Sequence, residues 1–196
     1  MGRSAGPGRS VIPVSLVPGE RDEDFVVLVD DQDVVVGMAP KLAAHRDGHL
    51  HRAVSVVLFD DHGRVLLQRR ADGKYHSGGL WSNTCCGHPR PGESVRDAAR
   101  RRLSAELGVT GCELTAVSWF VYRARLDDGL VEHELDHVLV GRWNGSTTPD
   151  PTEVSETRWV EPDALRRELA AAPGRFTVWM REVVERAHVD RGRSMG

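Results

Sequence analysis

The sequence predicts an α/β fold in which strands and helices share one hydrophobic core. Runs rich in valine and leucine occur in pairs across short turns of aspartate and glycine, a pattern typical of β-hairpins. Between and after these pairs, apolar residues recur at the three- and four-residue spacing of a helix face. A length of 196 residues fits one such domain, which we place at residues 21–190.

Composition and charge exclude several classes of protein. A formal net charge of −3 gives no reason to expect nucleic acid or an anionic membrane as a partner. No run approaches the roughly eighteen apolar residues that a membrane span needs. Three cysteines, two of them adjacent, do not make a disulfide framework, so a reducing cytoplasm is the expected compartment. Residues 1–20 are rich in glycine, proline and arginine, and we expect them to be a flexible tail. Residues 191–196 are expected to be a C-terminal tail.

The first part of the chain predicts two hairpins. Residues 25–36 contain two short strands around an aspartate-rich turn. Residues 53–59 and 65–70 form the second pair, across a turn in which Gly63 supplies a positive φ. The histidine-rich segment 40–51 is expected to be a loop that leads into a strand.

A helix is predicted over residues 95–107, where apolar residues follow one helical face. Ser94 is the predicted N-cap with Asp97 as its partner, and Gly108 ends the helix in a left-handed conformation. Glu106 lies on or beside the inward face, near the negative end of the helix dipole, where a carboxylate is unfavourable. We therefore expect a cation to compensate it; an exposed or arginine-paired glutamate is the alternative.

The second part of the chain predicts a long hairpin and then a covering layer. Residues 113–125 and 130–143 read as its two strands. Residues 156–160 predict a further strand, residues 162–172 a helix, and residues 176–188 a last amphipathic helix.

Two groups of residues point to a metal site. His45, His49 and His51 are three histidines within seven residues, more than packing alone requires. Glu132 and Glu134 are two apart on a predicted strand, so their carboxylates point to one face and repel unless a cation lies between them. Taken singly, a histidine is more often structural, and alternating charge is typical of a solvated edge strand. Together the two groups favour a divalent cation.

The segment 87–109 is similar to a degenerate Nudix box. The usual pattern is G-x5-E-x7-R-E-U-x-E-E-x-G-U, with U a bulky aliphatic residue, and its acids hold divalent ions on a diphosphate. Glu93 and Glu106 occupy two of the acidic positions, whereas Arg102 and Ala105 replace two others. The scaffold of the box is retained, but its cluster of acids is not.

The same stretch contains Asn83-Thr84-Cys85-Cys86-Gly87-His88-Pro89, which resembles the signature of type I isopentenyl-diphosphate Δ-isomerases, a Nudix-fold family with an altered box. The resemblance extends from about residue 25 to residue 189. It implies a Nudix-like α/β/α sandwich with a mixed β-sheet and additional N-terminal strands. It also implies interconversion of isopentenyl and dimethylallyl diphosphate through a tertiary carbocation. We expect a monomer or a weak homodimer.

The resemblance implies a catalytic pair and a shield for the carbocation. Cys86 matches the catalytic cysteine and is the candidate base, which requires neighbouring cations to favour its thiolate. Glu134, hydrogen-bonded to Tyr122, is the candidate proton donor. Trp179 matches an active-site tryptophan whose ring would stabilise a cation by roughly 1 to 2 kcal/mol. Cys85 is expected to pack inside; Cys86 as a small buried hydrophobe and Trp179 as a core residue of the last helix stay open as alternatives.

The resemblance also implies two cation sites. The first is a set of three nitrogens and two carboxylates suited to Mg²⁺, Mn²⁺ or Zn²⁺, formed by His45, His51, His88, Glu132 and Glu134. His49 is then exposed, although the spacing leaves open which imidazole pairs with His45. Glu106 would hold a second Mg²⁺ that bridges to the substrate diphosphate.

Four basic residues match positions that hold the substrate diphosphate: Lys41, Arg70, Lys74 and Arg102. Guanidinium groups bind phosphate oxygens bidentately, and lysine adds a mobile point charge. The alternative for Arg70 and Lys74 is a charged strand end. For Arg102, a diphosphate contact and a structural role both stay open.

Two other functions compete with the isomerase. A Nudix hydrolase of nucleoside diphosphate derivatives would use Glu93 and Glu106, but it leaves the histidine cluster and Cys86 without a role. A non-enzymatic metal or redox sensor would use the histidines and the paired cysteines. It gives no reason for Arg70 and Lys74 to converge on a phosphate.

Overall fold

The computed structural model describes residues 25–126 and 129–189, so the predicted tails, residues 1–20 and 191–196, lie outside the described residues. Besides a 3₁₀ helix at Pro173–Arg175, nine strands and four α-helices occur in the described ranges. They are β1 (Phe25–Val29), β2 (Val35–Pro40), α1 (Lys41–Asp47), β3 (His51–Phe59), β4 (Val65–Arg70), β5 (Trp81–Ser82), β6 (Cys85–Gly87), α2 (Val95–Leu107), β7 (Leu114–Arg125), β8 (Val131–Arg142), β9 (Val154–Val160), α3 (Pro162–Ala171) and α4 (Met180–Val189).

Strand β3 is the centre of a mixed sheet. Along one edge it pairs in parallel with β8, from His51 opposite Glu134 to Phe59 opposite Arg142. Antiparallel neighbours β1, β6 and β4 pair with β3 in turn. The strands that carry Cys86 and Glu134 therefore both pair with β3.

The alternation of side chains along β3 divides the core into two layers, because successive residues of a strand point to opposite faces. Val54, Val56 and Leu58 pack with the buried face of α2. Val57 and Phe59 pack with α3 and α4 on the other face. The predicted α/β/α sandwich is confirmed.

The caps predicted for α2 are confirmed. The Ser94 hydroxyl accepts a hydrogen bond from the Asp97 amide at 3.1 Å. Gly108 ends the helix at a φ of 65°, in the left-handed region. Glu106 is 3% exposed and pairs with Arg102 at 2.5 Å, so the side chain is buried as expected but arginine-paired, which was the alternative.

The prediction of a loop over residues 40–51 is wrong, because α1 occupies most of this segment. Pro40 precedes the helix at a φ of −54°, and Gly48 ends it at a φ of 69°. Seven residues are too few for a periodic signal, and an isolated helix of that length would not be stable. Burial of Ala44 and His45 against the rest of the protein stabilises it instead.

The last helix begins at Met180 rather than at Phe176. The amide of Thr177 donates to the carbonyl of Trp81 at 2.9 Å, and Phe176 bridges to Trp81, so this backbone is held by the sheet. Trp179 consequently precedes α4. Strands β5 and β6 were not predicted, because two and three residues are too short to show alternation.

Every helix in the part of the chain that the structure describes is too short or too polar to cross a bilayer.

Candidate active site

Helices α3 and α4 cover one face of the sheet. Where this face becomes polar, a cavity of about 190 Å³ opens. Most of the predicted site residues line it, namely Lys41, Arg70, Lys74, Cys86, His88, Arg102, Glu132, Glu134 and Trp179. The other predicted residues lie directly behind this lining and contact it: His45, His51, Glu106 and Tyr122. His49 is exposed, as predicted.

Two buried imidazoles present a free nitrogen to the carboxylates of β8. His45 Nδ1 lies 2.7 Å from the carbonyl oxygen of Lys41, and His51 Nδ1 lies 2.9 Å from that of His49. A proton on each Nδ1 leaves the Nε2 lone pair available to a metal. His45 Nε2 is 3.7 Å from Glu132 Oε2, and His51 Nε2 is 3.5 Å from Glu134 Oε1. Burial, reinforced by His51, lowers the pKa of His45 to about 4, so its imidazole is neutral.

His88 completes this side of the cluster. Its Nε2 atom lies 2.8 Å from Glu134 Oε1. Burial keeps the pKa of His88 well below its usual range. His45, His51, His88 and Glu134 each place one ligand atom within 4.8 Å of the others.

The donor set fits a divalent cation. His45 Nε2, His51 Nε2 and Glu132 Oε2 are buried and have no hydrogen-bond partner. Leaving such atoms unpaired costs about 1–3 kcal/mol each, and a cation coordinated by nitrogen and oxygen would satisfy all three. Glu132 lies in a second, overlapping group with His45 and His76, whose ligand atoms are also within 4.8 Å of one another.

His76 is a site residue that sequence reasoning missed. It is 8% exposed, lines the cavity, and places Nε2 3.1 Å from Glu132 Oε1. Burial and the charge of Arg70 lower the pKa of His76 to about 3. Its position two residues beyond Lys74, on a segment already expected to face the substrate, was the available signal.

Glu132 and Glu134 are 1% and 7% exposed, so a solvated edge strand is excluded. Burial and the charge of Glu134 raise the pKa of Glu132 well above its usual range. Burial also opposes ionisation of Glu134, but the imidazoles of His51 and His88 hold its pKa well below its usual range. The two carboxylates therefore differ: burial disfavours the ionised form of Glu132, whereas the neighbouring imidazoles favour that of Glu134.

Tyr122 stands opposite Glu134 in the pairing of β7 with β8. Its hydroxyl donates to Glu134 Oε2 at 2.7 Å, which is the hydrogen bond expected from the sequence. Burial and the adjacent charge of Glu134 raise the pKa of Tyr122 well above its usual value, so the phenol remains a donor.

The two adjacent cysteines have different environments. Cys85 is fully buried in the core layer beneath α2, as expected. Cys86 lines the cavity, donates its thiol to Asn83 Oδ1 at 3.1 Å and lies 3.5 Å from Ser55 Oγ. Burial and the nearby Asp136 raise the pKa of the Cys86 thiol to about 12. The charge of Arg70 opposes this rise, as a thiolate would require, but burial has the larger effect in the protein alone.

Trp179 is both a core residue and a wall of the cavity. It is 4% exposed and packs with Val183 and Phe176. Its indole nitrogen donates to Asn83 Oδ1 at 3.2 Å, the same oxygen that accepts from Cys86. One buried amide therefore holds the indole and the thiol together.

The four predicted diphosphate ligands all line the cavity, and so does Glu153, an acid that the sequence did not single out. Glu153 forms an ion pair with Lys74 and contacts Arg102 at 3.2 Å. Arg102 also bonds Glu106, which accepts a further hydrogen bond from Gln68 at 2.8 Å. Arg102 thus has a structural role and also faces the cavity.

The sheet, the layers and the altered box define a Nudix protein. The family model for the NUDIX domain matches residues 49–186. DR0079 from Deinococcus radiodurans has a similar structure, with a TM-score of 0.70 and 22% sequence identity, over 83% of this chain and 98% of that one. A MutT protein from Methanosarcina mazei has a TM-score of 0.59 and 18% identity, over 72% and 95% of the two chains. These structures share the fold.

Sequence relatives specify the branch of that class. The chain is 52% identical over 165 residues to the isopentenyl-diphosphate Delta-isomerase of Burkholderia multivorans, which covers 84% of this chain and 93% of the relative. It is 53% identical over 173 residues to that of Nocardia farcinica, covering 87% and 98%. The chain belongs to the isopentenyl-diphosphate Delta-isomerase family.

Proposed function

We propose that this chain interconverts isopentenyl diphosphate and dimethylallyl diphosphate by adding one proton to the carbon skeleton and removing another. The observation that carries the proposal is that Cys86 and Glu134 line one cavity from two strands that both pair with β3. An allylic isomerisation needs an acid and a base at the same carbon skeleton. The basic side chains that line the same cavity would bind a diphosphate.

Glu134 is the candidate acid and Cys86 the candidate base. Protonation of C4 by Glu134 gives a tertiary carbocation at C3, and Cys86 then removes a proton from C2. Tyr122 donates to Glu134 and orients its carboxyl group. Trp179 presents its ring to the cavity, where a π face stabilises a desolvated cation.

The protonation states of Cys86 and Glu134 before the reaction indicate which proton must be moved between turnovers. In the protein alone Cys86 is a thiol and Glu134 is ionised. This is the state that conversion of isopentenyl diphosphate leaves behind. Each further forward turnover therefore requires one proton to pass from Cys86 back to the carboxylates or to solvent.

The five predicted ligands would hold Mg²⁺, Mn²⁺ or Zn²⁺ at the histidine and glutamate centre. Bound there, a divalent cation would supply positive charge that makes a coordinated carboxylic acid a stronger proton donor. Glu106 would hold Mg²⁺ on the substrate diphosphate. One carboxylate is enough for an ion that the substrate brings, whereas hydrolysis would need the acids that Arg102 and Ala105 replace.

Lys41, Arg70, Lys74 and Arg102 are the proposed diphosphate ligands. Glu153 holds Lys74 and Arg102 at the cavity, so these two cations are positioned before substrate arrives. A diphosphate of higher charge would compete with Glu153 for them.

We further propose that residues 21–190 act as one domain, as a monomer or a weak homodimer in the cytoplasm, with a small-molecule substrate and neither nucleic acid nor membrane as a partner. The three cysteines are free, which suits a reducing compartment.

The proposal is tested by proton NMR of the purified protein with isopentenyl diphosphate and Mg²⁺ in heavy water, with released phosphate assayed in parallel. We expect dimethylallyl diphosphate that carries solvent deuterium, and no phosphate. An unchanged alkene together with hydrolysis of other diphosphates would establish a Nudix hydrolase instead. Metal binding without either reaction would favour a sensor.

A further inference from the structure

His76 belongs to the connection between β4 and β5 and lies outside the ligand set proposed above. The residue is 8% exposed, and its ring stacks on that of His45 with 6.1 Å between the ring centroids. Its Nε2 atom lies 3.1 Å from Glu132 Oε1. A buried imidazole at hydrogen-bond distance from a metal-facing carboxylate needs a role.

The two oxygens of Glu132 have different surroundings. Oε1 faces His76 Nε2 at 3.1 Å, whereas Oε2 faces His45 Nε2 at 3.7 Å. Oε2 and His45 Nε2 are both buried without a hydrogen-bond partner, and a cation between them would satisfy both. One oxygen is thus held by His76 while the other stays open to the metal centre.

The hydrogen-bond partners indicate which nitrogen of His76 carries the proton. A carboxylate whose other oxygen binds a cation is ionised and only accepts, so in the metal-bound protein a hydrogen bond to Glu132 places the proton on His76 Nε2. His76 Nδ1 lies 3.2 Å from Ser77 Oγ, whose hydroxyl can donate to it. His45 and His51 have the opposite arrangement, because their Nδ1 atoms face carbonyl oxygens. Those two imidazoles offer Nε2 as a metal ligand, whereas His76 uses Nε2 as a donor.

The backbone around His76 is held in one conformation. Arg70 donates to the carbonyl oxygen of His76 at 3.2 Å. Ser77 has a φ of 52°, in a region that residues with a side chain rarely adopt. A Cβ on the next residue, Gly78, would lie 2.6 Å from the carbonyl oxygen of Asp72. This local constraint aims His76 at Glu132.

We propose that His76 is a positioning residue that donates to Glu132 Oε1 and keeps Oε2 turned to the metal centre. Partners of this kind typically change metal affinity 10–100-fold when removed. The inference deepens the proposed function, because it assigns a residue that tunes the metal affinity of the site. It rests on the proposed function for turnover but not for metal binding.

The test is a Co²⁺ titration of the metal-stripped full chain, followed by visible absorption, without substrate. We expect His76→Ala to weaken Co²⁺ binding 10–100-fold and to leave the band positions of the bound state unchanged. His76→Gln keeps an N–H donor and should return to within about threefold of the unmodified protein. The matched control is His49→Ala, since His49 is exposed and should show no change.

Unchanged Co²⁺ affinity in His76→Ala would overturn the proposal. So would a His76→Gln variant as weak as His76→Ala with shifted bands, because that result makes His76 a direct ligand. If circular dichroism shows that His76→Ala does not fold, the test uses His76→Gln alone. A loss of Co²⁺ affinity of more than threefold, or shifted bands, in that variant would then overturn the proposal. Because no substrate is present, a protein that binds Co²⁺ in this pattern but fails to isomerise would refute the function and not this role of His76.

Discussion

Asn83 shows how a single side chain organises the reactive end of the cavity. Its Oδ1 accepts from Cys86 and Trp179, and its Nδ2 donates to the carbonyls of Val56 and Cys85. All the polar atoms of this fully buried amide are satisfied. The positions of the thiol and the indole are therefore coupled through one residue.

Replacement of Cys86 by serine should abolish most of the turnover while leaving the protein folded. A hydroxyl is a far weaker proton acceptor than a thiolate, and general acid–base groups typically contribute 10²–10⁴-fold to rate. We expect kcat for isopentenyl diphosphate to fall by at least 10²-fold, measured by NMR, with Co²⁺ affinity unchanged. Cys85→Ala is the control: it should lower the melting temperature, because Cys85 is fully buried, and retain turnover. A Cys86→Ser variant with normal kcat would remove Cys86 from the mechanism.

The lowered pKa of Lys41 predicts that capture of the substrate depends on pH. Burial and the charges of Lys74 and Arg102 lower the pKa of Lys41 to about 8. Lys41 is charged below that pH and loses its charge above it, so attraction for a diphosphate declines as pH rises. We expect kcat/KM to fall about tenfold for each pH unit above 8, since this parameter reports groups of the free enzyme.

Lys41→Arg separates this effect from other titrations. Arginine stays charged over the whole range, so the decline in kcat/KM above pH 8 should disappear. An identical decline in the arginine variant would assign the titration to another group.

At the scale of elements, the retained part of the Nudix box positions His88, a proposed metal ligand. Arg101 pairs with Glu93 at 2.7 Å and also donates to the carbonyl oxygen of His88 at 3.1 Å. The Arg90 amide donates to Glu93 at 2.8 Å, which closes the loop before α2. In this chain the paired acid and base of the box hold His88 against the cavity.

Helix α2 should depend measurably on its N-cap. Ser94→Ala removes the acceptor for the Asp97 amide and should cost about 1 kcal/mol of unfolding free energy. Denaturant titration measures this difference, and kcat should stay within twofold because Ser94 is not among the residues that line the cavity. Ser104→Ala, at an exposed position within the same helix, is the control and should not destabilise the protein. Equal effects of both variants would contradict the assigned cap.

At the scale of the whole molecule, one part of the sheet is covered by helices and another part carries the candidate active site. Val138 on β8 packs with α4, while Glu132 and Glu134, further along the same face of that strand, line the cavity. Buried acids and imidazoles without partners make this end of the sheet costly unless a cation is bound. The stability of the protein should therefore be linked to its metal.

Metal removal should lower the melting temperature as well as activity. A ligand at one hundred times its Kd stabilises the native state by about 2.7 kcal/mol, which corresponds to several degrees in Tm for a chain of this size. We expect a chelator to lower Tm by that amount, measured by calorimetry, and added Co²⁺ or Mn²⁺ to restore it. His45→Ala should abolish the response, whereas His49→Ala should keep it. A Tm that changes neither with the chelator nor with added metal would contradict a metal site at this cluster.

Local sequence patterns were sufficient to predict much of the fold. The cap at Ser94, the left-handed Gly108 and the hairpin of β7 and β8 depend on neighbours in the chain, and each is confirmed. Helix α1 was missed because seven residues carry no periodic signal and packing stabilises it. Strand β6 was missed because pairing with β3, not composition, makes Cys85–Gly87 extended.

The sequence by itself determined the class of fold, the family and the residue types of the candidate site, because motifs and spacing are properties of the chain. Only the tertiary structure decided that Glu132 and Glu134 are buried, that His76 and Glu153 join the site, and that Cys86 rests as a thiol. These features depend on burial and on charges from strands, loops and helices that are distant in sequence. Desolvation and Coulombic interaction act through space, so no local pattern in the chain contains them.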